Sequence, residues 1–302
     1  MTTSKFVLGL WPIAGVTTLG VTPDDARSTM AAAIESGVTQ FDTAFSYGYD
    51  GESDRLLGQF VGNDRDRFTV MGKVGQRWDE QRRRIVDGSP EQLTQDAEES
   101  LRRMKLERFD LLYLHSPDPN VPLSESAAAM QRLQQRGLCD KIGFCNMNVQ
   151  QLAEFSASVP LDAIQCPLNL LQRDNQSRLI DPCRQAGRAV YVFWTLMKGL
   201  LAGKITRDHV FADGDSRPGY EIFQGQSRQR AHDVIDDLVL LGNEIDQTVA
   251  QLAVGWAISQ PGVSGALVGA RRPDQIRETV ASRPLSAATL QRVETILQTH
   301  RS

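Results

Sequence analysis

The chain has 302 residues, of which 41% are hydrophobic and 23% charged, and its formal net charge is -4. That balance belongs to an ordinary globular protein, and the mild negative charge excludes electrostatic capture by nucleic acid or an anionic membrane as an organising function. No stretch reaches the roughly 18 to 20 apolar residues that a helical membrane span requires, so small-molecule chemistry is the leading expectation.

The amino terminus, "MTTSKFVLGLWPIAG", carries neither a long apolar core nor a cleavage-site pattern, which points to the cytoplasm. The first candidate strand, Lys5–Trp11, is followed by a helix with readable ends. Thr22 caps it, Pro23 takes the first helical position, Ala26, Met30 and Ile34 form a stripe, and Gly37 permits a left-handed finish. Strands at Val38–Ala44 and Phe68–Val74 come next, then "RWDEQRRRI", which reads as a solvated charge run. In "SPEQLTQDAEESLRRM", Ser89 and Gln92 suggest a capping box, while Leu93, Ala97, Leu101 and Met104 repeat on one face. Further strands are expected at Asp110–Ser116, Lys141–Asn146, Ala163–Asn169, Ala189–Thr195 and Gly265–Ala270. Most of these runs are nearly continuous in apolar residues, as parallel strands covered on both faces are.

Eight strands alternating with helices predict one closed (β/α)8 TIM barrel over residues 1–302, with an open doubly wound sheet as the weaker alternative. One gap stands out: 76 residues separate position 189 from position 265. It holds the irregular "RDHVFADGDSRPGYEIFQGQ" and helical patterns at about 227–242 and 246–260. As a long insert after the seventh strand, it belongs on the catalytic face, where it is either a lid or a solvated loop. The four cysteines (Cys139, Cys145, Cys166, Cys183) make no CxxC pair and the four histidines show no ligand spacing, so neither disulfides nor a metal is expected.

In such a barrel, functional groups collect at the carboxyl ends of the strands. Asp42 ends the second strand, Lys73 the third and His115 the fourth, and Tyr47 lies in the loop just past Asp42. Singly, each could be a cap or a core hydrogen-bonding group; on adjacent strand ends they form a coherent chemical set. A Lys73 ammonium would lower the pKa of a neighbouring phenol from about 10, and Asp42 would keep that lysine charged. Tyr47 is then expected to exchange protons near neutral pH, with neutral His115 orienting a substrate oxygen.

The set resembles the catalytic tetrad of the aldo-keto reductase superfamily. "FDTAFSYGYDGESDRLLG" is similar to that family's "DTAxxYGxGxSExxLG", with Asp54 where the pattern has glutamate. "GKVG", "DLLYLHSPD", "IGFCNMN" with "IQCPLN", "GLLAGK" and "LVGARRPDQIRET" follow in the family's order across nearly the whole chain. The resemblance implies a (β/α)8 barrel that interconverts a carbonyl and an alcohol by hydride transfer with NADP, NAD being possible, and with Tyr47 as general acid/base. No GxGxxG follows a strand, so the residues themselves carry no Rossmann fingerprint.

The same resemblance implies cofactor contacts. Asn146 and Gln165 match the pair that holds the nicotinamide carboxamide, and Cys145 replaces a serine with a weaker hydrogen-bonding thiol. "YVFWTLMKGLLAGK" is similar to "YSPLxxGLLTGK", which puts Phe193 or Trp194 against nicotinamide and Leu196, Lys198 and Gly199 along the cofactor. Gly269 and Ala270 would receive phosphate, and Arg271 or Arg272 a 2′-phosphate. Gln275 stands where the family has a basic residue, Glu278 is kept for adenine, and Thr279 replaces an asparagine.

Trp11, Trp78, Trp194, Tyr220 and Phe223 are expected to line an apolar pocket for a small carbonyl or alcohol. Oligomeric state is not encoded in any readable feature. Two other functions compete: an NADPH-binding regulatory or redox-sensing subunit, and a metal-assisted barrel lyase, which the lack of clustered carboxylates and histidines disfavours.

Overall fold

All eight apolar runs form strands in the computed structural model, which describes residues 5–16 and 18–300. The barrel strands are β1 (Phe6–Gly9), β2 (Gln40–Asp42), β3 (Thr69–Val74), β6 (Phe109–Leu114), β7 (Cys139–Cys145), β8 (Ala163–Pro167), β9 (Ala189–Phe193) and β10 (Gly265–Val268). A hairpin of β4 (Gln76–Trp78) and β5 (Arg84–Val86) stands outside the barrel. Every barrel pairing is parallel, and the order β1-β10-β9-β8-β7-β6-β3-β2 closes on itself, so no open edge remains. Among the described residues, no helix is long and apolar enough to cross a membrane.

The helices are α1 (Pro23–Glu35), α2 (Glu52–Val61), α3 (Pro90–Met104), α4 (Leu123–Gln135), α5 (Val149–Ser158), α6 (Asp181–Gln185), α7 (Gly225–Ile245), α8 (Val249–Ser259), α9 (Pro273–Val280) and α10 (Ala287–Thr299). Alternation along the strands divides the core in two. Leu8, Phe41, Val70, Leu112, Ile164 and Val190 pack outward with the helices, while Val7, Met71, Leu111, Tyr113, Cys145, Ala163 and Leu267 fill the barrel. Two residues beyond Met71 and Ala163, the inward phase brings Lys73 and Gln165 to the barrel's upper rim.

At the start of α1, Thr22 forms a complete capping box with Asp25, and Gly37 adopts φ +86° beyond its end. Four expectations are corrected. Ser89 makes no side-chain cap on α3, because its hydroxyl donates to Asp87 Oδ1 at 2.6 Å. The first strand stops at Gly9, and Trp11–Ile13 is a 3-10 turn in which Pro12 occupies a position that needs no amide proton. "RWDEQRRRI" is not a bare solvated run: it forms most of the antiparallel β4–β5 hairpin over the third strand's end. Phe223 is buried in the insert's own packing against Phe211, at 5.5 Å between centroids, and is core instead of pocket lining.

Candidate active site

Three strand ends and one loop converge at the top of the barrel. The Lys73 ammonium donates to Asp42 Oδ1, to the Thr43 carbonyl at 3.3 Å and to the Tyr47 phenol oxygen at 3.1 Å. Gln165 Nε2 donates to the other Asp42 oxygen at 2.8 Å, and Cys145 Sγ donates to Gln165 Oε1 at 3.7 Å. The His115 ring lies 6.0 Å from the Tyr47 ring, edge to face, and Asn146 Nδ2 donates to the His115 carbonyl at 2.9 Å. Asp42, Lys73, His115 and Gln165 are buried and Tyr47 is half-buried.

The Tyr47 loop turns back over Lys73 through Gly48 at φ +102° and Gly51 at φ +75°, conformations that a side chain rarely adopts. A Cβ on Gly48 would also come within 2.9 Å of the Glu52 backbone nitrogen. Beneath the loop, Asp54 is fully buried and accepts from Thr43 Oγ1 at 2.8 Å and Ser100 Oγ at 2.7 Å, with Arg103 at 4.0 Å. The shorter acid thus grips the segment that supplies a carbonyl to Lys73.

Electrostatics here follow burial against pairing. Burial pulls Lys73 down, but Asp42, with Tyr47 and Cys145 also contributing, outweighs it, so the ammonium pKa is raised and the lysine stays charged. Burial pushes the Asp42 carboxyl up, and Lys73 and Gln165 pull it back. For Tyr47 the expected sign is reversed: burial pushes the phenol up to about 12, more than Lys73 lowers it. The phenol is therefore protonated at neutral pH. Burial, with Lys73 and Arg84 nearby, holds His115 well below its ordinary value, so its imidazole is neutral, and Nδ1 is buried without a protein hydrogen-bond partner. Burial likewise raises the Cys145 thiol to about 12.

The remaining sequence candidates form a second group along the turn after β9 and the loop after β10. Phe193 packs with the barrel-filling cluster, whereas Trp194 turns away at φ +59° to meet Tyr220 at 5.9 Å between centroids. Leu196 packs beside the core, and Lys198, in a left-handed turn with Gly199, places its ammonium 4.1 Å from the Tyr220 ring centroid and 4.8 Å from that of Trp194. Gly269 passes so close to Pro12 that a Cβ would meet its Cγ at 2.5 Å, and Ala270 is buried. Arg217 from the insert pairs with Asp215 at 2.5 Å; burial, with Arg217 and Arg272 nearby, lowers the Arg271 pKa, and Asp215 offsets this in part.

Other members of this group are occupied within the protein. Gln275 Oε1 accepts from the Arg271 amide at 2.8 Å, Glu278 pairs with Lys204 at 3.2 Å, and buried Thr279 donates to the Gln275 carbonyl at 2.8 Å. Arg272 is paired with Asp25. Arg217 and Arg84 were missed in the sequence. Arg217 lay in an irregular loop with no periodic signal, while Arg84 sat in a charged stretch whose three-residue strand shows no alternation of buried and exposed positions.

A parallel barrel thus buries a charged lysine between a carboxylate and a protonated phenol at its rim. The sequence model described as "Aldo/keto reductase family" matches residues 5–298, and the chain belongs to that family. It is an enzyme of the oxidoreductase class acting on carbonyl and alcohol groups. The chain is 30% identical over 276 residues to the aldo-keto reductase YhdN of Bacillus subtilis (strain 168), covering 90% of this chain and 83% of that protein. It is 29% identical over 297 residues to the NADH-specific methylglyoxal reductase of Escherichia coli (strain K12), covering 93% and 90%. Among solved structures, the glycerol dehydrogenase AKR11B4 from Gluconobacter oxydans superimposes with a TM-score of 0.89 at 31% identity, covering 98% of this chain and 92% of that one.

Proposed function

We propose that this enzyme interconverts a small carbonyl compound and its alcohol with NADP, NAD being the alternative, and that Tyr47 is the general acid in reduction and the base in oxidation. The observation that carries the reading is the chain Asp42–Lys73–Tyr47, with the ammonium 3.1 Å from the phenol oxygen. When bound, the dinucleotide supplies hydride to the carbonyl carbon. Tyr47 donates its proton to the carbonyl oxygen, and Lys73 stabilises the phenolate left behind before solvent reprotonates it. Neutral His115 positions that oxygen by a hydrogen bond. Asn146 and Gln165 would hold the carboxamide, and Phe193, whose ring packs toward the barrel interior, is favoured over Trp194 for stacking on nicotinamide.

Support for an anionic dinucleotide comes from Arg271: Arg217 is paired with Asp215 and Arg272 with Asp25, whereas Arg271 makes no ion pair among the described residues and lies near both guanidiniums, so a phosphate would relieve the like-charge cost. A redox-sensing role gains no support from the cysteines: all four are buried, and burial raises each thiol, which disfavours the reactive thiolate. The test is Tyr47→Phe, assayed by carbonyl-dependent oxidation of NADPH and of NADH over an aldehyde and ketone panel. Turnover is expected to fall by about 100- to 10,000-fold with nucleotide binding retained. Wild-type rates in the variant would overturn the role of Tyr47, and tight nucleotide binding without turnover in the parent protein would favour the regulatory reading.

A further inference from the structure

The mouth of the barrel holds a cation that the proton-transfer set does not use. Arg84, on the second strand of the β4–β5 hairpin, places its guanidinium carbon 4.8 Å from the Trp11 ring centroid and 4.9 Å from that of Trp78. Both rings are tied to the Tyr47 loop. Trp11 meets the Tyr47 ring edge to face at 5.1 Å, and Trp78 Nε1 donates to the Ser46 carbonyl at 2.9 Å.

Two of the other hairpin arginines have acidic partners, while Arg82 lies 4.5 Å from the centroid of the Tyr49 ring. Arg77 pairs with Asp96, and Arg83 with Asp79 at 2.7 Å. Among the described residues Arg84 has no ion pair, although its side chain reaches solvent. Its surroundings are aromatic: it is close enough to Tyr47, to Tyr220 of the insert and to His115 for mutual electrostatic effects. Cation–π contact uses the charge and fixes the position of a guanidinium while leaving its N–H donors to bind a planar or tetrahedral oxyanion. An exposed arginine held in place by two indole rings and without a carboxylate of its own is prepared for an anion from outside.

We propose that Arg84 is a specificity-determining residue that binds an oxyanion, carboxylate or phosphate, at the far end of the carbonyl substrate, with Trp11 and Trp78 as its clamp. The preferred substrates are therefore short oxo acids or phosphorylated aldehydes and ketones. Their carbonyl lies at Tyr47 and their anion one indole's breadth away. This rests on the carbonyl reduction proposed above.

The test compares matched pairs with the holoenzyme: succinic semialdehyde against butanal, and glyceraldehyde 3-phosphate against glyceraldehyde. Wild-type kcat/KM is expected to favour the anionic member of at least one pair by about 10- to 100-fold, the range for one charge-assisted bidentate contact. The pair with the larger ratio identifies carboxylate or phosphate. In Arg84→Met that ratio should collapse towards one, mainly through KM, and in Arg84→Glu it should invert. Melting temperature separates misfolding from impaired recognition. Reduction of neutral and anionic substrates alike, or a ratio unchanged in Arg84→Met, overturns the Arg84 site alone. No reduction of any of the four overturns the underlying carbonyl reading. A second measurement is independent of substrate turnover by the anion itself: succinate and inorganic phosphate should inhibit butanal reduction competitively, and loss of Arg84 should weaken that inhibition by the same factor.

Discussion

Asp54 shows how much one buried side chain can set the behaviour of this site. It has no exposed surface, and burial raises its pKa from 3.8 to about 6 despite bonds from Ser100 and Thr43. A carboxyl whose pKa rises on folding contributes stability below its unfolded value, and this contribution is lost as the pH climbs through the folded value. The window here runs from about 4 to about 6, and the loss is of order 3 kcal/mol. Asp54→Asn should therefore gain stability relative to the parent as the pH is raised from 4 to 6.5 and then hold level. Thermal melts across that range check this, and a difference that stays flat would mean the ionised acid is well accommodated. The neighbouring pair behaves differently, because Lys73 and Asp42 neutralise each other in a fully buried contact. Removing one partner strands a charge: Lys73→Met is expected to cost about 3 to 5 kcal/mol, and adding Asp42→Asn should recover much of that loss. Denaturant titration of the two single variants and the double variant gives the coupling directly.

At the scale of elements, the glycine that closes the "DRLLG" segment has a packing reason. Gly58 lies on α2 where it meets the end of α3, and a Cβ there would come within 2.7 Å of Met104 Cα. Alanine ordinarily strengthens a helix interior by about 1 kcal/mol. Here Gly58→Ala is expected to destabilise the protein by about 1 to 3 kcal/mol, because backbone must move to admit the methyl group. A rise in melting temperature would show that α2 and α3 part at little cost. The barrel itself was readable because β6 and its neighbours present apolar residues to both the interior and the helices, leaving uninterrupted runs such as Leu111–Leu114. The β4–β5 hairpin was not readable in the same way. Its strands are three residues each, and Arg84 is stabilised by Trp11, far away in sequence, so no local pattern announces it. Asp42, Lys73 and His115 were legible as strand-end polar groups and Tyr47 as their loop neighbour, yet the balance that lifts the Tyr47 pKa depends on how completely the loop buries it, which spacing cannot convey. Phe223 failed for the converse reason: an aromatic in an irregular loop serves a pocket or a core equally well until its neighbours are known.

Across the whole molecule, closing the barrel assigns the two adjacent arginines different duties. β1 pairs with β10, so the first and last strands meet, and α1 packs against α9 outside them. Arg272, the residue that precedes α9, spans this seam, pairing with Asp25 on α1 and donating to the Gly20 carbonyl at 3.2 Å. Among the described residues Arg271 makes no ion pair; it lies near Arg217 and Asp215 of the insert, and its amide is fixed by Gln275. A 2′-phosphate would thus be bound by Arg271, while Arg272 chiefly ties the ends of the fold together. Arg271→Ala should weaken NADPH binding by about 10- to 100-fold and NADH binding far less, since the substitution removes a charge-assisted bond that only the 2′-phosphate can accept. Arg272→Ala should instead lower the melting temperature by no more than about 2 to 4 °C, because a partly exposed ion pair contributes under about 1 kcal/mol. Fluorescence titration with both nucleotides, run beside thermal melts, separates the two effects. If Arg272→Ala is the variant that loses its preference for NADPH, the arginine leaves Asp25 when the nucleotide binds, and the seam at α1 and α9 is then part of the cofactor site.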